Sequence, residues 1–365
     1  MKIADVNAHL HTPYSFSAFR DVRQALDMAA EEGVKVVGIN DFYSLDGYRE
    51  WSEECGARHL FPLFNIEFIS LNAEDQTAGL RVNDPNNPGR TYLSGKGLKY
   101  PVILAGREAE QFAAVKAESN RQVEAMCCKL NEHLAAVKAG FTLDFAWIRT
   151  NLTRGSIRER HLAKALRLAI DANVPEDGKA GFYERVFGGK PLKSPVDDAA
   201  KVENEIRGNL LKAGGAAFVP EDPKAFLPME TVQRIIEAAG GIPTYPFLAD
   251  DAKGCFTDFE GDLQKAADTL RKRGFRSVEF ITTRNTTEVL EQYAGYLEDE
   301  GFMVTFGSEH NTPALEPIRL RTRNHPEGLS EKLRGINWRG ACMVAAHQNG
   351  LSGIDAGEEL ICKAI

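Results

Sequence analysis

Two histidines two residues apart, His9 and His11, close the first apolar run of the chain in the stretch NAHLHTPYS. On an extended strand this spacing puts both imidazoles on one face, a pair of nitrogen donors suited to a divalent cation. Other apolar runs also end on polar groups. VKVVGI leads into Asn40 and Asp41, LFPLFNIEF carries the lone carboxylate Glu67, and MVTFGSE ends on Glu309, His310 and Asn311. A carboxylate set among Phe64, Ile66 and Phe68 is costly to bury unpaired, so Glu67 requires a metal, an arginine or another cation. In parallel α/β sheets and barrels the C-terminal strand ends share one face, and these segments are expected to meet there. Mixed imidazole and carboxylate donors suit Zn, Mn or Fe. Such an ion makes hydroxide available at neutral pH for attack on an ester.

The elements that must position these groups read as alternating strands and helices. A strand over residues 3–8, a helix over 21–32 ended by Gly33, and strands over 34–39 and 60–68 give a βαβαβ opening. Strand-like runs return at 241–248, 277–281 and 303–309. Residues 81–105 are rich in Gly and Pro and read as a loop or linker, and 106–236 read as an inserted helical subdomain. The expected core is therefore an α/β barrel made of residues 1–80 and 237–365. Within RTYLSGKG the glycine spacing does not fit a Walker A loop. Arg90 and Lys96 are nevertheless expected to fold over the pocket and pair with an anionic substrate. Arg158, Arg160, His161 and Lys164 form either a second anion-binding wall or the exposed face of an amphipathic helix.

Net charge is −8, from 44 basic against 52 acidic residues, so no global positive field exists to hold nucleic acid. A small anionic molecule meeting a local basic pocket is the expected partner. No apolar run reaches the length of about 18 residues that a membrane span needs. The six cysteines show neither CxxC pairs nor a disulfide framework and read as reduced core thiols, with the cytoplasm as the expected compartment. Nothing in the sequence fixes an oligomeric state.

HLHTPYS, GINDF, the lone Glu of FNIEF, TYP and FGSEHNTP, in that order, resemble the motif series of the PHP family (polymerase and histidinol phosphatase). The likeness implies a distorted (β/α)7 barrel with metals at its C-terminal face and hydrolysis of phosphate esters. Carried over residue by residue, it implies His9, His11, Glu67 and Glu309 as metal ligands. Asp41 and His310 are the candidates for ligand or acid/base work, and Tyr245 and Asn311 join Arg90 and Lys96 as expected substrate contacts. Departures fall on ligand positions: Phe16 or Ser17 and Phe42 replace polar ligands, Tyr245-Pro246 replaces His-Pro, and Glu309 stands in for Asp, with His310 one place early. The remaining set suits one or two divalent ions, or none. The expected activity is that of a metal-dependent phosphoesterase. Phe16, Phe42 and Tyr245 favour the alternative of a metal-free barrel that binds a small molecule or a protein partner, and a lyase or isomerase could use the same pocket.

Overall fold

Eight strands form one sheet in the computed structural model, which describes residues 3–365. They are β1 Asp5–Leu10, β2 Val34–Phe42, β3 Phe61–Leu71, β4 Arg90–Lys96, the two-residue β5 Leu227–Pro228, β6 Ile242–Phe247, β7 Ser277–Ile281 and β8 Met303–Gly307. Hydrogen bonding runs β1-β2-β3-β4-β6-β7-β8, with β5 beside β3 off that path. Pairs are parallel except that β4 runs antiparallel to both β3 and β6. The helices are α1 Val22–Glu31, α2 Tyr48–Gly56, α3 Ala73–Thr77, α4 Gly106–Ala136, α5 Phe145–Asn151, α6 Glu159–Asn173 and α7 Lys179–Val186. They continue with α8 Ala199–Ile206, α9 Met229–Ala238, α10 Leu263–Lys272, α11 Thr287–Asp299, α12 Glu331–Gln348 and α13 Ile354–Ala364.

The sheet curls into a nearly closed barrel of seven strands, as the α/β pattern predicts. Closure is thin at the seam between β1 and β8, where Leu10 and Glu309 form a single bridge. Below that bridge Asn337 of α12 substitutes for the missing ladder: its amide donates to Val6 O at 3.0 Å and its carbonyl accepts from Phe306 N at 2.9 Å. A helix side chain thus satisfies edge groups that would otherwise be orphaned in the interior.

Two boundaries differ from the sequence reading. Residues 81–105, expected as loop or linker, contain β4, which completes the barrel between β3 and β6. Residues 229–236, expected in the insertion, begin α9, whose Met229, Val232, Ile235 and Ile236 belong to the core around the barrel. The glycines and prolines near β4 mark its turns and misled the assignment. The helices from the later part of α4 to Ala217 bury an apolar core of their own, with Leu130, Leu162, Leu166, Ile170 and Tyr183 among its members.

Strand alternation sorts apolar from polar. The apolar cores of the barrel lie between sheet and helices, whereas the axis is lined by polar groups. Asn40, Ser94, Lys96 and Glu279 hydrogen-bond to one another there, and Thr244 Oγ1 meets Ser277 Oγ at 2.8 Å. A barrel interior is ordinarily filled by branched apolar side chains, so a polar axis needs every donor and acceptor matched. All six cysteines are free, but only Cys55, Cys127 and Cys342 are buried, so the reading as core thiols fails for Cys128, Cys255 and Cys362. Among the described residues no helix is long and apolar enough to cross a membrane.

Helix α12 lies so close to β8 that a Cβ on Gly340 would fall 1.8 Å from Val304 O. Gly340→Ala is expected to force helix and strand apart at a cost of roughly 1–3 kcal/mol. Urea unfolding measures it, and an unchanged midpoint would contradict this packing.

Candidate metal centre and its cavity

The polar axis opens at the C-terminal ends of β1, β2 and β3, where one nitrogen of His9, one of His11 and one oxygen of Glu67 lie within 4.8 Å of one another. All three residues are buried. His9 and His11 share a face of β1 and its extension, and Glu67 comes from the adjacent side of β3.

The hydrogen-bond network assigns both tautomers. His9 Nδ1 lies 3.0 Å from Glu279 Oε2, which can only accept, so Nδ1 carries the proton. His11 Nδ1 lies 3.2 Å from Ser15 Oγ, whose own proton goes to Asp41 Oδ1 at 2.6 Å, so this Nδ1 is also a donor. Both Nε2 atoms therefore present bare lone pairs. They face each other at 3.3 Å, and Glu67 Oε2 is 3.3 Å from His11 Nε2. Asn40 Nδ2 stands 3.0 Å from His9 Nε2 and 3.2 Å from Nδ1. These near-equal distances place it against the ring face rather than on an in-plane lone pair.

Electron-pair donors thus converge with no proton between the two nitrogens, an arrangement that a cation would relieve. The spacing fits: nitrogens about 2.0–2.1 Å from a tetrahedral zinc stand roughly 3.3 Å apart. Burial lowers the His11 pKa and keeps that ring neutral. Burial also pushes the Glu67 carboxyl up to about 8, with Glu309 adding to the rise.

Glu309 and its neighbour are held by strain. Glu309 (φ 64°) and His310 (φ 56°) both occupy the left-handed region, which costs residues with a Cβ on the order of 1–2 kcal/mol each. The seam offsets this, since Glu309 N donates to His9 O at 3.0 Å and His11 N to Glu309 O at 2.8 Å. The turn aims the Glu309 carboxylate at the cavity, where Arg284 and the Asn311 amide each donate to Oε2 at 2.7 Å. Burial pushes this carboxyl up, but Arg284 and His9 more than offset that and hold it low.

Above the cluster lies a cavity of about 970 Å³ whose lining includes Phe16, Phe42, Glu67, Arg90, Arg284 and Glu309. Arg158, Arg160, Arg207 and Lys212 line it too. Glu159 lies within 3.9 Å of Arg158, 2.9 Å of Arg207 and 3.4 Å of Lys212. Arg160 shows no carboxylate partner among the described residues. Burial and the neighbouring Arg207 lower its pKa to about 10.

The structure sorts the remaining candidates. Arg90 lies at the rim, paired with Glu221, and Asn311 lines the cavity. Lys96, expected on a loop over the pocket, is instead fully buried below the histidines, with Nζ 2.6 Å from Glu279 Oε2. Both residues lie on β4, six positions apart on one face, so Arg90 reaches the mouth and Lys96 the floor. Asp41 does not reach the cavity, because Thr12 N, Thr12 Oγ1 and Ser15 Oγ occupy its oxygens. Burial raises its pKa to about 6 against the opposing pull of His11 and these hydrogen bonds. His310 turns away to Ser308 Oγ and Glu316 O, both at 2.8 Å, and stacks on Phe19. Tyr245 falls on the outward side of β6, where its hydroxyl donates to Glu260 at 2.7 Å. His161 caps α6 by accepting from Arg158 N, and Lys164 is exposed.

Glu279, Arg284 and Ser94 escape the sequence reading. Glu279 carries the signal that flags Glu67, a lone carboxylate in a buried run, here SVEFI. The other two depend on loop path and on recognising β4.

No family model matches the chain, and no curated protein matches it. Solved structures do. One, from Bifidobacterium adolescentis and described as a candidate metal-dependent phosphoesterase, is 17% identical with a TM-score of 0.56, covering 92% of this chain and 96% of its own. Another is an amidohydrolase from Chromobacterium violaceum with bound sulfate and no metal, 15% identical with a TM-score of 0.55, covering 86% of this chain and 93% of its own. At this identity the likeness establishes a shared barrel fold.

Asp41 and Tyr245 emerge as scaffold groups. Asp41→Ala strands buried donors and is expected to cost on the order of 3 kcal/mol, and Tyr245→Phe about 1–2 kcal/mol. Chemical denaturation measures both. A Tyr245→Phe variant of unchanged stability but weakened ligand binding would return that hydroxyl to the pocket.

Proposed function

We propose that the chain is a metal-dependent hydrolase and that its reaction is hydrolysis of a phosphate ester on a small anionic substrate. The observation that carries this reading is the bare Nε2 pair facing Glu67 Oε2, with Glu67 opening onto a cavity that Arg158, Arg160, Arg207 and Lys212 also line. The shared fold with a candidate metal-dependent phosphoesterase and with an amidohydrolase supports it, as does the order of the PHP-like motifs.

His9, His11 and Glu67 would hold the ion, with Glu309 nearby at the cavity edge. When bound, a divalent cation supplies Lewis acidity toward a phosphoryl oxygen and a nucleophile near neutral pH. The chain's own groups do the rest. Glu279 holds the His9 ring in the tautomer that exposes Nε2, and Ser15 does the same for His11. Glu309, kept ionised by Arg284, is the carboxylate placed to accept a proton at the cavity edge. Arg284 and Arg160 meet the charge of the anion, since guanidinium groups match phosphate geometry. Asp41 and His310 have no part in this scheme.

A second reading, a metal-free barrel that binds an anion, is favoured by Phe16 and Phe42, which place apolar rings in the cavity wall. Metal content and turnover together separate the two.

Purified protein is expected to carry Zn, Mn or Fe and to hydrolyse members of a phosphomonoester and phosphodiester panel. Chelation or His9→Ala should reduce turnover at least about 100-fold. Arg160→Ala should raise KM roughly tenfold or more, the worth of a charge-assisted hydrogen bond, without changing metal content. A metal-free, inactive protein that still binds phosphate would decide for the second reading.

A further inference from the structure

Glu279 is a buried carboxylate at the barrel axis, and each of its oxygens has a partner. Oε2 receives Lys96 Nζ at 2.6 Å and His9 Nδ1 at 3.0 Å, and Oε1 receives the Ser94 hydroxyl. The Lys96 ammonium is satisfied in turn, with Asn40 Oδ1 and Ala8 O each at 3.2 Å beside the glutamate. An ammonium has three protons to donate, and each has an oxygen here. Lys96 is fully buried and reaches no cavity, so it cannot touch a substrate.

We propose that the Lys96 ammonium stands in for a second metal ion at this centre, so that the site holds one divalent cation per chain. The inference rests on the metal-dependent reading above and adds the number of ions and the group that sets it.

Charge arithmetic supports it. Glu279 is neutralised by Lys96 and Glu309 by Arg284 at 2.7 Å, which leaves Glu67, and Asp41 behind His11, as the carboxylates here with no Lys or Arg against them among the described residues. With both imidazoles neutral, one divalent ion balances Glu67 and the Asp41 carboxylate behind His11. A second would add two further charges to a buried site, at a desolvation cost of several kcal/mol per ion. It would also find Glu279 already occupied. Lys96 is therefore a positioning residue, fixing Glu279, which fixes the His9 tautomer, and excluding a competing cation.

The test is metal stoichiometry on the full chain, loaded with Mn²⁺, desalted and measured by elemental analysis beside isothermal titration. One equivalent in the unaltered protein is expected, and Lys96→Ala should take up a second, because its removal leaves Glu279, Asn40 Oδ1 and Ala8 O around a vacated cation position. Lys96→Met/Glu279→Gln, which removes both charges, should return to one. Two or more equivalents in the unaltered protein overturn the proposal while leaving the metal-dependent reading intact; none overturns both. A folded Lys96→Ala that holds only one equivalent also overturns it. Lys96→Ala that folds only in millimolar Mn²⁺ supports it. The same variant staying unfolded there, while the double variant folds with one ion, shows that no metal can replace the ammonium and overturns it.

Discussion

A carboxylate sealed from water must be matched by positive charge and hydrogen bonds, or the fold around it is unstable. Glu279 imposes that demand at the centre of this barrel. Lys96 meets it from β4, Ser94 from the same face of the same strand, and His9 from across the axis. Because Oε2 accepts from the imidazole, the carboxylate also determines which His9 nitrogen is free. Burial works against the ionised form of Glu279, but Lys96 and His9 outweigh it and hold the pKa low. A structural charge pair thus sets the chemistry one residue away, the common relation between a histidine ligand and the carboxylate behind it.

The seam imposes the second constraint. With one bridge between β1 and β8, the barrel closes mainly through Asn337 below and the Ser308–Glu309 turn above. That turn accepts two consecutive left-handed residues, and strain of this kind persists where the surroundings over-determine it. Its hydrogen bonds with His9 and His11 hold the histidine strand on the side opposite its ladder with β2. A Cβ on Gly307 would lie 2.2 Å from the His9 Cβ, so the absence of a side chain there lets the two strands approach. Barrel closure and the placement of the donor nitrogens are therefore one structural event.

Much of this was legible in the residues. The parallel pattern, the HLH pair and Glu67 follow from alternation and from the cost of an unpaired buried carboxylate. The same parity rule, applied to TYP, would have turned Tyr245 outward, since Thr244 and Pro246 take the inner face of β6. Applied to RTYLSGK, it would have shown Arg90, Tyr92, Ser94 and Lys96 in one column, but flanking glycines and prolines hid the strand. His310 and Asp41 could not be placed this way. Their fates depend on a left-handed turn and on hydroxyls of Thr12 and Ser15, which belong to loop geometry rather than to periodicity. The cationic wall was visible only as an amphipathic helix, because its meaning comes from where α6 docks.

That docking also gives the aromatic residues at the cavity wall their partners. Phe16 and Phe42 each face an arginine from the N-terminal end of α6. Arg158 Cζ lies 4.4 Å from the Phe42 ring centroid, Arg160 Cζ 6.0 Å from that of Phe16, and the Phe16 ring stacks on His11 at 4.8 Å. An aromatic face attracts a guanidinium, and more strongly as water is excluded. A ring at each of these positions offers no donor to a metal and seats an arginine instead. The rings at the barrel mouth and the cationic wall of the helical segment are parts of one arrangement. Positive charge at this site is supplied by fixed side chains, Lys96 beneath the histidines and the arginines above them.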